Sequence, residues 1–262
     1  MAGQSKGYCK YCGNEYIWGG IRRHLHACKE RKAVLASTTG KRACGYFEML
    51  LYGKYDHTYW LIIEMPDTRT LQDLDQFIRN IWMECCGHLS SFRIYGESYD
   101  AYPDTEGFWG EPAKSMNYRL KDILSEGLVM DYEYDFGSTT ELEIKVLHYR
   151  QGVWKRDPVT ILSRNNPPEL LCSHCKENHA QWIDPTRLFE EEAFWCESCR
   201  QAHIQAKASK TAKTDGTCDD SYEDFDEEYF LPVCNSPRMG VCAYEGSELY
   251  PDTFEPDKRP VG

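Results

Sequence analysis

Thirteen cysteines and eight histidines are the side chains of this 262-residue sequence best suited to chemistry. Eight of these residues fall into two spaced quartets. Cys9 and Cys12 are followed after eleven residues by His24, and after three more by Cys28. Two thiols on a hairpin knuckle and an i, i+4 pair on a helix can close a tetrahedron around zinc. Tyr16 and Ile21 supply a small apolar core, and Ile21, His24, Leu25 and Cys28 share one helical face. The spacing predicts a three-cysteine, one-histidine zinc finger, with His26 as the alternative histidine at a poorer spacing. Cys172 and Cys175 are separated by twenty residues from Cys196 and Cys199. That is the pattern of a four-cysteine zinc ribbon. Four protein ligands leave no open coordination position, so both predicted zinc ions are structural. His174 and His179 are spare candidates at the ribbon.

A third group is Cys85, Cys86 and His88. It reads as a thiol nucleophile, as a further metal site with Cys234 or Cys242, or as core packing with His88 closing a helix. Asp135 could act as an acid, or could bond backbone amides in its turn. The sequence has no Walker A loop, dinucleotide fingerprint, His-Glu-x-x-His or Gly-x-Ser-x-Gly.

Charge separates the two ends of the chain. The net charge is −12, which argues against broad nucleic-acid binding by the whole surface. Residues 1–42 nevertheless hold nine Lys/Arg against two Glu, a balance of +7, leaving −19 for the rest. Arg22, Arg23, Lys29, Arg31 and Lys32 are the candidate nucleic-acid-binding residues; the alternative is a solvated helix face. Lys207, Lys210 and Lys213 form a second basic spacing. Clustered metal-type cysteines, the lack of an apolar leader after Met1 and the lack of any spanning apolar run predict a cytoplasmic protein with no membrane contact.

These residues must be positioned by the stretch from 43 to 165. Tyr46–Tyr52 and Thr58–Met65 are apolar-rich runs joined by a five-residue loop at Gly53–His57. Thr70 and Asp73 form a capping-box pattern before an amphipathic helix expected from Leu71 to Cys86, closed by Gly87. Phe92 and Ile94 alternate on a short strand. Residues 98–116, with Trp109, make a long loop suited to binding. Leu120–Leu124 predicts a short helix, and the segments 128–135 and 139–148 predict paired strands. The predicted fold is α+β, a mixed or antiparallel sheet with one main helix packed on it, plus two small zinc modules.

Three segments carry a resemblance to a known family: Thr70-Leu71-Gln72-Asp73-Leu74-Asp75, Cys85-Cys86-Gly87-His88-Leu89-Ser90-Ser91-Phe92 and Tyr132-Glu133-Tyr134-Asp135-Phe136-Gly137. With the tail Asn235–Tyr244, they resemble the plasmid pRiA4b ORF-three-like family, also labelled insertion-element passenger proteins of TnpR type. The resemblance spans roughly residues 45–150 and 229–246. It implies an α+β core and an association with mobile genetic elements, and it implies no established activity. Many members continue the Phe-Gly turn with Asp-x-Trp-x-His, where this chain has Ser138-Thr139-Thr140-Glu141-Leu142.

The resulting organisation is a basic finger module and linker over 1–42, the core over 43–165, and a ribbon with a basic helix over 166–213. An acidic linker follows over 214–228, with eight carboxylates between Asp215 and Glu228. The tail of 229–246 is expected to return to the core, and 247–262 to be disordered. The expected function is that of a non-enzymatic, zinc-binding protein contacting nucleic acid through its basic finger. The alternatives are a protein–protein adaptor and an enzyme with a site near His88 and Asp135.

Overall fold

The computed structural model describes residues 5–104, 106, 112–188, 190–211 and 229–257. Two compact units divide them. The first takes the chain up to Pro168, together with Asn235–Pro237 and the segment from Ser247. The second takes Glu169–Cys234 and Arg238–Gly246.

The first unit opens with a hairpin of β1 (Lys6–Tyr8) and β2 (Glu15–Ile17), followed by α1 (Trp18–Ala27) and α2 (Lys29–Ser37). β3 (Ala43–Gly53) and β4 (Trp60–Pro66) come next, then α3 (Leu71–Ile78). The rest comprises β5 (Ser90–Ile94), β6 (Glu97–Asp100), β7 (Lys114–Ser115), α4 (Leu120–Ile123), β8 (Val129–Tyr134), β9 (Thr140–Val153) and β10 (Thr160–Arg164). Eight of these strands form one sheet in the order β10-β4-β3-β9-β8-β5-β6-β7. Its pairings are antiparallel except β6 with β7. The α+β class expected from the sequence is the class observed.

Side-chain alternation explains why β3 and β4 are buried along nearly their whole length. Phe47, Met49, Leu51, Leu61, Ile63 and Met65 face a core closed by Leu71, Leu74, Phe77 and Ile78 of α3. Leu50, Tyr52, Trp60 and Ile62 face the other way, where Cys9, Tyr11, Ile21, Leu25 and Cys28 cover them. A sheet with both faces covered needs apolar residues at both parities. The N-terminal module is therefore the second layer of this unit rather than an arm hung from a linker. Gly7 marks the contact: a Cβ there would lie 2.0 Å from the Arg164 carbonyl oxygen. The hairpin can approach β10 this closely only through glycine.

The linker expected at the end of residues 1–42 gives way to helix, since α2 runs on to Ser37 and its Arg31 is buried. The main helix is shorter than its apolar stripe suggests. Thr70 and Asp73 form the expected capping box. The α-helix stops at Ile78, a π-helical turn runs over Arg79–Met83, and Glu84 is already extended. At the widened turn Arg79 Nε donates to Asp75 Oδ2 at 2.8 Å, and its Nη2 donates to the His88 carbonyl at 2.6 Å. Cys85 and Cys86 therefore lie beyond the helix, not in it.

The terminal segment expected to be disordered is packed as far as Asp257. The Ser247 hydroxyl donates to the Asn80 carbonyl at 2.6 Å, the Tyr250 ring meets Phe77, and Arg164 Nη1 donates to the Pro251 carbonyl at 2.7 Å. The last of these contacts gives a partner to one nitrogen of the buried Arg164 guanidinium, and together they hold the tail in place. The acidic linker, Trp109, Lys213 and residues 258–262 lie outside the described residues.

In the second unit β11 (Trp182–Ile183) pairs with both β12 (Phe194–Trp195) and β13 (Leu231–Pro232). A 3-10 turn at Pro185–Arg187 precedes β12, and α5 (Glu197–Thr211) follows it. Ile183, Ala193 and Leu231 form its small core. The tail was expected to return to the core, and Asn235–Pro237 do so, with Trp82 Nε1 donating to the Asn235 carbonyl at 3.1 Å and the Ser236 hydroxyl to the Trp82 carbonyl at 2.7 Å, whereas Leu231 and Pro232 complete the ribbon sheet. Among the described residues, no helix is long and apolar enough to cross a membrane.

Candidate metal centres

Cys9 and Cys12 lie on the turn between β1 and β2, His24 on α1, and Cys28 at the junction of α1 and α2. Their ligand atoms all lie within 4.8 Å of one another. Cys12 Sγ is 3.2 Å from His24 Nε2, and Cys9 Sγ is 4.0 Å from Cys28 Sγ. The knuckle closes through the Gly13 N–H on the Cys9 carbonyl at 2.9 Å. Tyr16 stacks on the His24 ring at 4.1 Å and fixes its plane. Burial pushes the Cys9 thiol up to about 12, raises Cys28 and lowers His24. Without a cation, burial favours the neutral forms of Cys9, Cys28 and His24.

The second quartet, Cys172, Cys175, Cys196 and Cys199, meets the same 4.8 Å criterion. The Asn178 N–H points at Cys175 Sγ at 3.5 Å and lowers that thiol. Ser198 Oγ lies 3.2 Å from Cys196 Sγ and helps bring it down to about 6. Cys199 moves the other way, up to about 12, first because of the neighbouring Cys196. Four sulfurs this close cannot all carry charge unless a cation shares the site. His174 instead packs its ring on Trp195, 3.4 Å between centroids. Both quartets have the soft donor sets that suit a tetrahedral ion.

A third set consists of Cys85, Cys86 and His88, whose ligand atoms also lie within 4.8 Å of one another. Among the described residues, clusters able to hold a metal ion thus occur at both predicted quartets and at this trio.

The basic residues of the finger divide. Arg23, Lys29 and Lys32 are exposed, and Arg22 is half-buried with its guanidinium 5.7 Å from the Trp18 ring centre. Arg31 is a correction: it is only 5 % exposed and turned into the unit. Its Nη2 lies 2.7 Å from Glu48 Oε2 and 3.3 Å from Glu64 Oε2. Glu48 and Glu64 stand opposite each other on β3 and β4, where like charges repel. Arg31 on one side and Arg150 Nε, 2.7 Å from Glu64 Oε2, neutralise them. Arg31 is an anchor of the finger on the sheet and cannot reach a phosphate. The two glutamates and Arg150 escaped the sequence reading. The available signal was a charged residue within each of two otherwise apolar strands.

Residues 52–173 match the family model described as plasmid pRiA4b ORF-3-like protein. The matched segment supports the resemblance and runs from the end of β3 to the first ribbon cysteine. It leaves out the finger quartet and three of the ribbon ligands. The chain is also similar to a solved protein of unknown function from Methanosarcina mazei Go1, at 19 % identity and a TM-score of 0.37, over 46 % of this chain and 68 % of that one. None of the curated proteins compared with the chain matches it.

Proposed function

We propose that this is a non-enzymatic zinc protein linked to a mobile genetic element, touching nucleic acid through its N-terminal module. The observation that carries this reading is the finger itself. Its four ligands converge on the inner side, where Arg31 fixes the module to the sheet, while Arg23, Lys29 and Lys32 remain exposed. Cations on a metal-stabilised module of an otherwise acidic chain are suited to meeting phosphates locally. Both quartets have the donors and spacing of structural zinc sites, and their full complement of protein ligands supports a non-catalytic role. The family's name supports the link to plasmids and related elements.

The test is binding of the full-length protein to duplex DNA and to RNA across a salt series. Three phosphate contacts predict a log–log slope of about −2 to −3. Combined charge reversal (Arg23→Glu, Lys29→Glu and Lys32→Glu) should abolish binding while leaving the thermal transition in place. Binding that survives the reversal, or no binding at low salt, would transfer the proposal to the protein-adaptor reading.

A further inference from the structure

We propose that Cys85, Cys86 and His88 are three ligands of an additional zinc site, with Asp135 as the residue that positions His88. The proposal is independent of the finger and the ribbon. Its first support is convergence: two thiols and an imidazole lie within 4.8 Å of one another on a four-residue turn. Such a set, two soft sulfurs and one nitrogen, forms three corners of a tetrahedral zinc site.

The turn is held rigidly from behind. Gly87 sits at φ +71, a left-handed conformation that L side chains rarely adopt. Its N–H donates to Glu84 Oε1 at 2.7 Å. The same Glu84 takes Arg79 Nη1 on its other oxygen at 3.0 Å, and Arg79 also donates to the His88 carbonyl. Arg79 is fixed in turn by Asp75, which is fully buried and also accepts from the Ser90 hydroxyl at 2.7 Å and the Tyr132 hydroxyl at 2.9 Å. The His88 N–H donates to the Tyr134 hydroxyl at 3.3 Å, and the His88 ring stands edge-on to the Tyr134 ring. This frame of polar groups is drawn from α3, the π-helical turn, β5 and β8, and Cys85 packs against the main core beside it.

The second support is Asp135. Its Oδ1 lies 3.6 Å from His88 Nδ1. The carboxylate is aimed by its backbone, which is held at φ +64, and by the Gly137 N–H on Oδ1 at 3.1 Å. A carboxylate behind one ring nitrogen of a ligand histidine keeps the proton there and presents the other nitrogen to the metal. With Asp135 beside Nδ1, Nε2 would be the nitrogen left for the metal. The Tyr134-Asp135-Phe136-Gly137 turn, the most distinctive motif of the core, acquires a physical purpose.

The test uses the full-length protein purified without chelator. Zinc counted by mass spectrometry should reach three per chain. Cys86→Ser and His88→Ala should each hold one fewer, with the circular dichroism spectrum unchanged. Variants that hold as much zinc as the wild type would overturn the proposal. A second readout assigns the loss to this turn even if a variant folds poorly. Cys86 is exposed in the wild type, yet with zinc bound it should resist iodoacetamide, and it should react once a chelator removes the metal. Equal alkylation before and after chelation, read on the Cys85–Cys86 peptide, would overturn the proposal whatever happens at the two quartets. Asp135→Asn should release this zinc about 10- to 100-fold more readily, and no change would remove Asp135 from the positioning role.

Discussion

A single side chain shows how far residue type alone can mislead. Arg31 belongs to a basic run and falls at a plausible spacing for phosphate contact, but it points into the unit. Burial works against its charge, and Glu48 and then Glu64 more than offset this, so its pKa is raised. Removing a charge from a buried pair leaves its partner uncompensated. Arg31→Ala is therefore expected to lower the unfolding free energy by about 3–5 kcal/mol, because Glu48 loses the guanidinium 2.7 Å away. Lys32→Ala, one residue on and exposed, should stay within about 0.5 kcal/mol. Urea unfolding of both variants checks this, and equal small effects would refute the inward role of Arg31. The two converging quartets, by contrast, were legible residue by residue. Cysteine and histidine spacing encodes coordination geometry locally, and burial does not change which atoms donate.

At the scale of elements, the two quartets differ in how much proton work metal loading requires. In the finger, burial keeps Cys9 and Cys28 protonated at neutral pH, while His24 is already neutral. Loading must expel at least those two thiol protons, so affinity falls as pH falls. In the ribbon, Cys196 at about 6 is mostly ionised at neutral pH and Cys175 is lowered as well, so Cys199, pushed up to about 12, is the one raised thiol there against two in the finger. The finger should therefore lose its metal first as pH drops from about 8 toward about 5. Alkylation of Cys9, Cys12 and Cys28 ahead of the ribbon cysteines in a pH series would show this; the reverse order would contradict it. Element boundaries were less legible than ligands. The capping box at Thr70 fixed where α3 starts, because capping is a local bond. Its end was missed, because the π-helical turn is tied to Arg79 bonds with Asp75 and the distant Ser90.

For the molecule as a whole, the finger's place in the first unit changes what a deletion would mean. A chain lacking residues 1–42 would uncover Leu50, Tyr52, Trp60, Ile62 and Leu162, all at most 8 % exposed. Each such side chain contributes about 1.5–3 kcal/mol when buried. The truncated chain is expected to aggregate, not to yield a core that merely fails to bind nucleic acid. Size-exclusion chromatography checks this, and a monodisperse truncation with a cooperative thermal transition would show the module to be dispensable. Charge reversal, not deletion, is thus the informative probe of the proposed interface.

The sequence by itself determined the features that depend on neighbours along the chain. These are the two metal-type quartets, the cap of α3, the paired strands around Tyr134–Gly137 and the α+β class. Each rests on spacing, periodicity or turn chemistry within a few tens of residues. Only the tertiary structure decided which surfaces were interior. It placed the finger against the even-numbered side of β3 and β4, turned Arg31 from a candidate phosphate ligand into a buried counter-ion, and ordered the tail as far as Asp257 through Arg164 and Phe77. It also brought Asp135 to His88 across forty-seven positions of sequence. Such pairings depend on which apolar faces need cover and which buried charges need partners. Those demands are met by the chain as a whole, so no local pattern announces them.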